Sequence, residues 1–85
     1  MLFEKGEMIR LKVSTAGRPL PRVSWYHNGE LIQHGGRYEI TDTERNSVIR
    51  INEAMREDRG EYLIKGINKI GEDVASFLVT VTGNL

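Results

Sequence analysis

Asp58-Arg59-Gly60-Glu61-Tyr62-Leu63-Ile64-Lys65-Gly66-Ile67-Asn68-Lys69-Ile70-Gly71 is the stretch on which the fold turns. From Gly60 to Ile67 the residues alternate, Tyr62, Ile64 and Gly66 on one side against Leu63 and Ile67 on the other, which is the two-residue period of a strand. Asn68-Lys69-Ile70-Gly71 then supplies a tight turn. Upstream lies the single tryptophan, Trp25, and the chain has no cysteine. Small domains outside the cell usually offset a thin stability margin with disulfides, each worth roughly 2–4 kcal/mol. Here packing alone must hold the fold, which suits a reducing compartment.

Eighty-five residues make one domain, spanning 1–85 without linker, repeat or low-complexity segment. A chain this short buries only about 60–65% of its unfolded surface. Twelve basic and twelve acidic residues cancel and are interspersed. That argues against nucleic acid or an anionic membrane as partner, since either calls for a basic patch. No apolar stretch approaches the ~20 residues of a membrane span, no signal-peptide core is visible, and no Asn-x-Ser/Thr acceptor occurs.

Working outward, the whole chain reads as all-β. Met8 to Thr15 alternates with Ile9, Leu11, Val13 and Thr15 on one side. Gly17-Arg18-Pro19-Leu20-Pro21 ends that run, because proline lacks an N–H and fixes φ. Arg22 to His27 is the next strand, with Val23 and Trp25 inward, and Asn28-Gly29 is a two-residue hairpin signal. Glu30 to Gln33 returns as a short edge strand before Gly35-Gly36. Arg37 to Thr43 and Ser47 to Asn52 form a second hairpin around Glu44-Arg45-Asn46, with Ile49, Ile51 and then Ala54 inward. Glu53 to Arg59 has room for one helical turn. Glu72 to Thr82 is the last strand, with Ala75, Phe77, Val79 and Val81 inward, and 83–85 is a frayed end.

The spacing resembles an immunoglobulin I-set domain over roughly residues 5–82. It rests on Gly6-Glu7, Gly17-x-Pro19-x-Pro21-x-Val23-x-Trp25, Asn28-Gly29, Ile49-x-Ile51 and the Asp58-x-Gly60-x-Tyr62 run. The resemblance implies an all-β Greek-key sandwich of two antiparallel sheets. It places the family's two cysteines at Val13 and Ile64, which are aliphatic here, so no disulfide forms. In that respect the chain is similar to Ig modules of intracellular giant muscle proteins such as titin, twitchin and myosin-binding protein C. The family's first strand is largely missing, leaving a short strand near Leu2 to Lys5 to pair alongside the last one.

The resemblance also implies roles. Trp25, Tyr62, Val13, Ile64, Leu11 and Ile51 form the core, Tyr62 makes a tyrosine corner near Asp58, and Asp58 pairs with Arg37. Enzyme-like patterns fail on their chemistry. Gly66 to Gly71 has phosphate-loop spacing, but Glu72-Asp73 follows where Lys and Ser/Thr are required. His27 and His34 lack metal-ligand partners, and Ser24 lacks a nucleophile elbow. Glu53, Glu57 and Asp58 have nothing apolar around them to raise a pKa. No cofactor, metal or catalysis is expected.

One feature points to partners. Tyr26, Leu63, Ile67, Val74 and Leu78 fall on the outward side of the sheet carrying Trp25. That face is either a protein-docking patch or ordinary cross-strand pairing with the stems of Lys65 and Arg22 laid over it, and the pairing is favoured. Three functions compete. The leading one is a cytoplasmic, sarcomeric module acting as mechanical spacer between Ig and fibronectin-type neighbours. The second is a docking unit for another muscle protein, and the third is an extracellular adhesion or receptor domain that lacks its disulfide.

Overall fold

The computed structural model describes residues 1–15 and 21–83. The expected break at 17–20 and the end of the expected frayed tail, 84–85, lie outside the described residues. Among the described residues eight strands follow one another: β1 Leu2–Glu4, β2 Ile9–Ser14, β3 Arg22–His27, β4 Glu30–Ile32, β5 Tyr38–Asp42, β6 Asn46–Ile51, β7 Gly60–Ile67 and β8 Glu72–Thr82. A single 3-10 turn, Arg56–Asp58, bridges β6 and β7. The strands form a five-stranded sheet in the order β1-β8-β7-β3-β4 and a three-stranded sheet in the order β2-β6-β5. All neighbours are antiparallel except β1, which runs parallel to β8 with Leu2 opposite Thr80, Phe3 opposite Val81 and Glu4 opposite Thr82.

The alternation in the sequence becomes two facing apolar surfaces. Ile9, Leu11, Trp25, Ile32, Ile49, Ile51, Ala54, Tyr62, Ile64 and Val79 are buried between the sheets. Phe3, Val13, Val23, Tyr38, Ile40, Ala75, Phe77 and Val81 pack around them, partly buried. Each fully buried aliphatic or aromatic side chain stabilises by roughly 1.5–3 kcal/mol, so this cluster is the main force holding the sandwich. Trp25 sits opposite both Ile64 and Ile32 in the ladder. Its indole stacks against Phe77, centroids 6.4 Å apart. Ile64 is buried and Val13 half-buried, so branched carbon fills both places where the resemblance puts sulfur.

Several strands begin or end a residue away from the expected bounds, and turn chemistry explains why. The second hairpin closes at Thr43, whose N–H donates to the Asn46 carbonyl at 2.8 Å. The Thr43 hydroxyl oxygen accepts from the N–H groups of Arg45 and Asn46. Asn46 is thereby held in the ladder opposite Ser14 and belongs to β6. At the other end, Gly35 and Gly36 take φ of 129° and 58°, and Arg37 precedes β5. Its side chain turns to the 3-10 segment instead.

Backbone bonds fasten the short first strand at both ends. Thr80 N–H donates to Met1 O at 2.8 Å, and Lys5 N–H donates to Thr82 O at 2.6 Å. The turn after β1 is tied to the opposite crossover, with Gly6 N–H donating to Ala54 O and Ala54 N–H to Glu7 O, each at 2.8 Å.

Candidate functional site: the outer face of the five-stranded sheet

Chemistry would need some polar side chains free of structural duties. Asp58, expected with Glu53 and Glu57 in surroundings without apolar groups, is instead buried at the base of the sandwich and receives the Arg37 guanidinium in a fork, Nη1 to Oδ1 at 3.0 Å and Nη2 to Oδ2 at 2.6 Å. Met55 N–H donates to the same Oδ2 at 2.7 Å. Arg37 Nη2 also donates to the Glu53 carbonyl. The Tyr62 hydroxyl donates to the Asp58 carbonyl at 2.6 Å. Burial, reinforced by the Asp58 charge, pushes the Tyr62 phenol well above its ordinary range, and Tyr38 moves the same way for the same reasons. The Arg37 guanidinium is raised by its hydrogen bond to Asp58. This cluster fastens the crossover between β6 and β7, and its carboxylate is fully engaged.

The other polar candidates are committed to structure as well. His27 stacks on Tyr62 with centroids 4.4 Å apart, and its Nε2 lies 2.7 Å from the Arg59 carbonyl. His34 Nδ1 accepts the Ile40 N–H at 3.0 Å. In the turn after β7, the amides that could cradle a phosphate are spent internally. Asn68 Oδ1 accepts from Ile70 and Gly71, and Gly71 N–H also donates to Asn68 O. Among the described residues no group of three or more His, Cys, Asp and Glu side chains gathers as a metal site. Ser47 was not singled out by the sequence. It is fully buried, accepts the Trp25 indole N–H at 2.8 Å and donates to Asp42. Its small hydroxyl in an apolar strand gives no periodic signal.

What the fold leaves open is a face. Residues 22, 24 and 26 of β3, 61 to 67 of β7 and 72 to 78 of β8 share its outer side at alternate positions. Tyr26 lies directly opposite Leu63, and Leu63 opposite Ser76. The remaining residues of the expected patch are not each other's neighbours. Val74 faces Lys65, Leu78 faces Glu61, and Ile67 faces Glu72 and Arg22. Tyr26 and Leu63 are half-buried, whereas Ile67, Val74 and Leu78 are exposed, Leu78 by 70%.

Lys65 is draped across the centre. Its Nζ lies 5.9 Å from the Tyr26 ring centroid and 3.7 Å from Glu72 Oε1. Both contacts are weak at such distances in water, so they cover the patch loosely. Two exposed apolar residues extend the face beyond the expected five. Leu31 pairs with Tyr26, and Leu2 sits opposite Thr80 at the other edge. Leu31 was within reach of the sequence. A two-residue Asn28-Gly29 turn sets His27 against Glu30 and therefore Tyr26 against Leu31.

A family model described as the immunoglobulin I-set domain matches residues 1–81. The "Titin homolog" of Caenorhabditis elegans is 37% identical over 83 residues, covering 96% of this chain and a share of the relative that rounds to 0%. Fast-type myosin-binding protein C of Homo sapiens is 40% identical over 77 residues, 89% of this chain and 7% of that protein. The chain therefore spans only a small part of these relatives. Among solved structures, titin domains Z1 and Z2 in complex with telethonin superpose with a TM-score of 0.95 at 29% identity, over 100% of this chain and 43% of that one. A chimeric titin Z1Z2 gives 0.93 at 30% identity, over 99% and 87%.

Proposed function

The chain belongs to the immunoglobulin I-set family, and from that premise we propose that it is a non-enzymatic spacer and docking module of a multidomain sarcomeric filament protein, working in the cytoplasm at the myofibril. Neighbouring Ig or fibronectin-type domains of the same chain, and other sarcomeric proteins, are its partners. Likeness to modules of a titin homolog and of myosin-binding protein C supports the setting. The observation that carries the mechanical part is the parallel pairing of β1 with β8.

Parallel neighbours at the two ends of a chain respond to tension in a particular way. The chain enters at the start of β1 and leaves at the end of β8, so tension drives the two strands past each other. The bonds from Thr80 to Met1 and from Lys5 to Thr82 then bear load together, and none can open ahead of the rest. Single-molecule stretching of a tandem repeat tests this. The expected result is rupture well above the force that peels a hairpin, reduced by Thr80→Pro, which removes the donor to Met1 O. Rupture at hairpin-like force, or indifference to that substitution, would refute the mechanical role.

The docking part rests on the outer face of the five-stranded sheet. Replacing Leu63 and Leu78 with lysine puts charge on that face without touching the core. Binding to myofibrils is expected to be lost while the melting temperature moves little. Undiminished binding would remove the face from consideration.

A further inference from the structure

The charges nearest the centre of the outer face, Glu61 and Lys65, are arranged so that this part of the face matches itself. Row by row along the strands, the centre is Leu31, Tyr26, Leu63 and Ser76. Two residues to one side of Leu63 come Glu61 and Leu78, and two residues to the other side come Lys65 and Val74. Opposite charges thus flank the centre of β7 at equal distance, and an aliphatic residue flanks the centre of β8 on each side.

We propose that this face pairs with the same face of a second copy, the two sheets stacked with antiparallel strands about a two-fold axis running across the strands through the central row. This rests on the reading of the face as a docking surface and names its occupant. The axis lays Leu63 on Leu63, Tyr26 on Tyr26 and Leu31 on Leu31 of the two copies. It sets Val74 of each copy against Leu78 of the other and Lys65 of each against Glu61 of the other, as a self-complementary interface requires. The parallel alternative brings Lys65 onto Lys65 and Glu61 onto Glu61, and like charges facing each other suppress it. Lys65 exchanges a long, exposed contact with Glu72 for a pairing with Glu61, which makes no ion pair among the described residues.

Size sets the strength. Four strands about 4.8 Å apart and about 25 Å long offer roughly 500 Å2 per copy. That is below the ~800 Å2 per partner of a stable complex. The pairing is therefore weak for free domains and matters where copies are held together, since short tethers give effective concentrations on the order of millimolar.

Sedimentation equilibrium of the isolated domain up to about 1 mM, a concentration comparable to tethered neighbours, provides the test. A reversible monomer–dimer equilibrium is expected. Glu61→Lys and Lys65→Glu should each weaken it at least tenfold, and the double reversal should return it to near the original value. Glu61→Lys carries the test alone if Lys65→Glu proves less stable, because the Glu61 side chain makes no ion pair among the described residues. A chain monomeric throughout, single reversals without effect, or a double reversal that stays monomeric would each overturn the proposal. A monomeric chain whose Leu63 and Leu78 variants still lose myofibril binding would leave docking standing and eliminate only the second copy as the occupant.

Discussion

Gly60 opens β7 with φ of 125°, a conformation that L side chains rarely adopt, and the Asn28 carboxamide occupies the space a Cβ would need. That carboxamide accepts the Glu61 N–H at 3.0 Å, so the β3–β4 turn is locked to the start of β7 at this point. Gly60→Ala must strain the backbone and displace Asn28 together, and a loss of about 2–4 kcal/mol is expected in urea unfolding. Loss under about 0.5 kcal/mol would contradict the geometry. Tyr62 gives a second residue-scale prediction. Its folded pKa is raised by burial, so the stability it confers is fully present below its ordinary value near 10 and declines as pH rises above that. Tyr62→Phe should cost about 1 kcal/mol at neutral pH, through the lost bond to Asp58 O, and should flatten the alkaline decline. Titrating the melting temperature of both proteins from neutral to strongly alkaline pH checks the sign. Ser47→Ala leaves the buried Trp25 N–H without its acceptor and should cost about 1–3 kcal/mol.

Among the elements, the crossover between β6 and β7 is fastened by the Arg37–Asp58 pair. Among the described residues, Arg37→Ala leaves the buried Asp58 carboxylate with only the Met55 amide, and a loss of about 3 kcal/mol is expected by chemical denaturation. A change within error would mean that water replaces the guanidinium at no cost. The strands themselves were legible because alternation is a two-residue signal. β3 and β7 emerged with the bounds read from Arg22 to His27 and from Gly60 to Ile67. Strand ends were less legible where a side chain decided them, as with Thr43 closing its turn and Arg37 leaving the sheet for Asp58. The outer face was legible residue by residue, since parity assigns Tyr26, Leu63, Ile67, Val74 and Leu78 to one side. Its organisation into rows was not, because register between strands distant in sequence depends on long-range pairing that no local pattern encodes. Only the pairing of β3 with β7 puts Tyr26, and with it Leu31, in one row with Leu63.

At the scale of the whole molecule, the domain is a rod with extents of 47 × 18 × 18 Å and equal numbers of basic and acidic residues. A neutral surface gives no long-range repulsion between copies, so their association is left to short-range contacts. The aliphatic pair at Val13 and Ile64 has its own consequence once the rod is stretched to failure. Bridged cysteines at those positions would keep the intervening loop cinched after the sheets part, and only the remaining tails would uncoil. With carbon there, nothing retains any slack. The full 85 residues reach about 290 Å when extended, so rupture should lengthen the stretched chain by about 240 Å beyond the folded rod of 47 Å. With no cysteine in the chain, the size of that step should not change with the redox state of the surroundings.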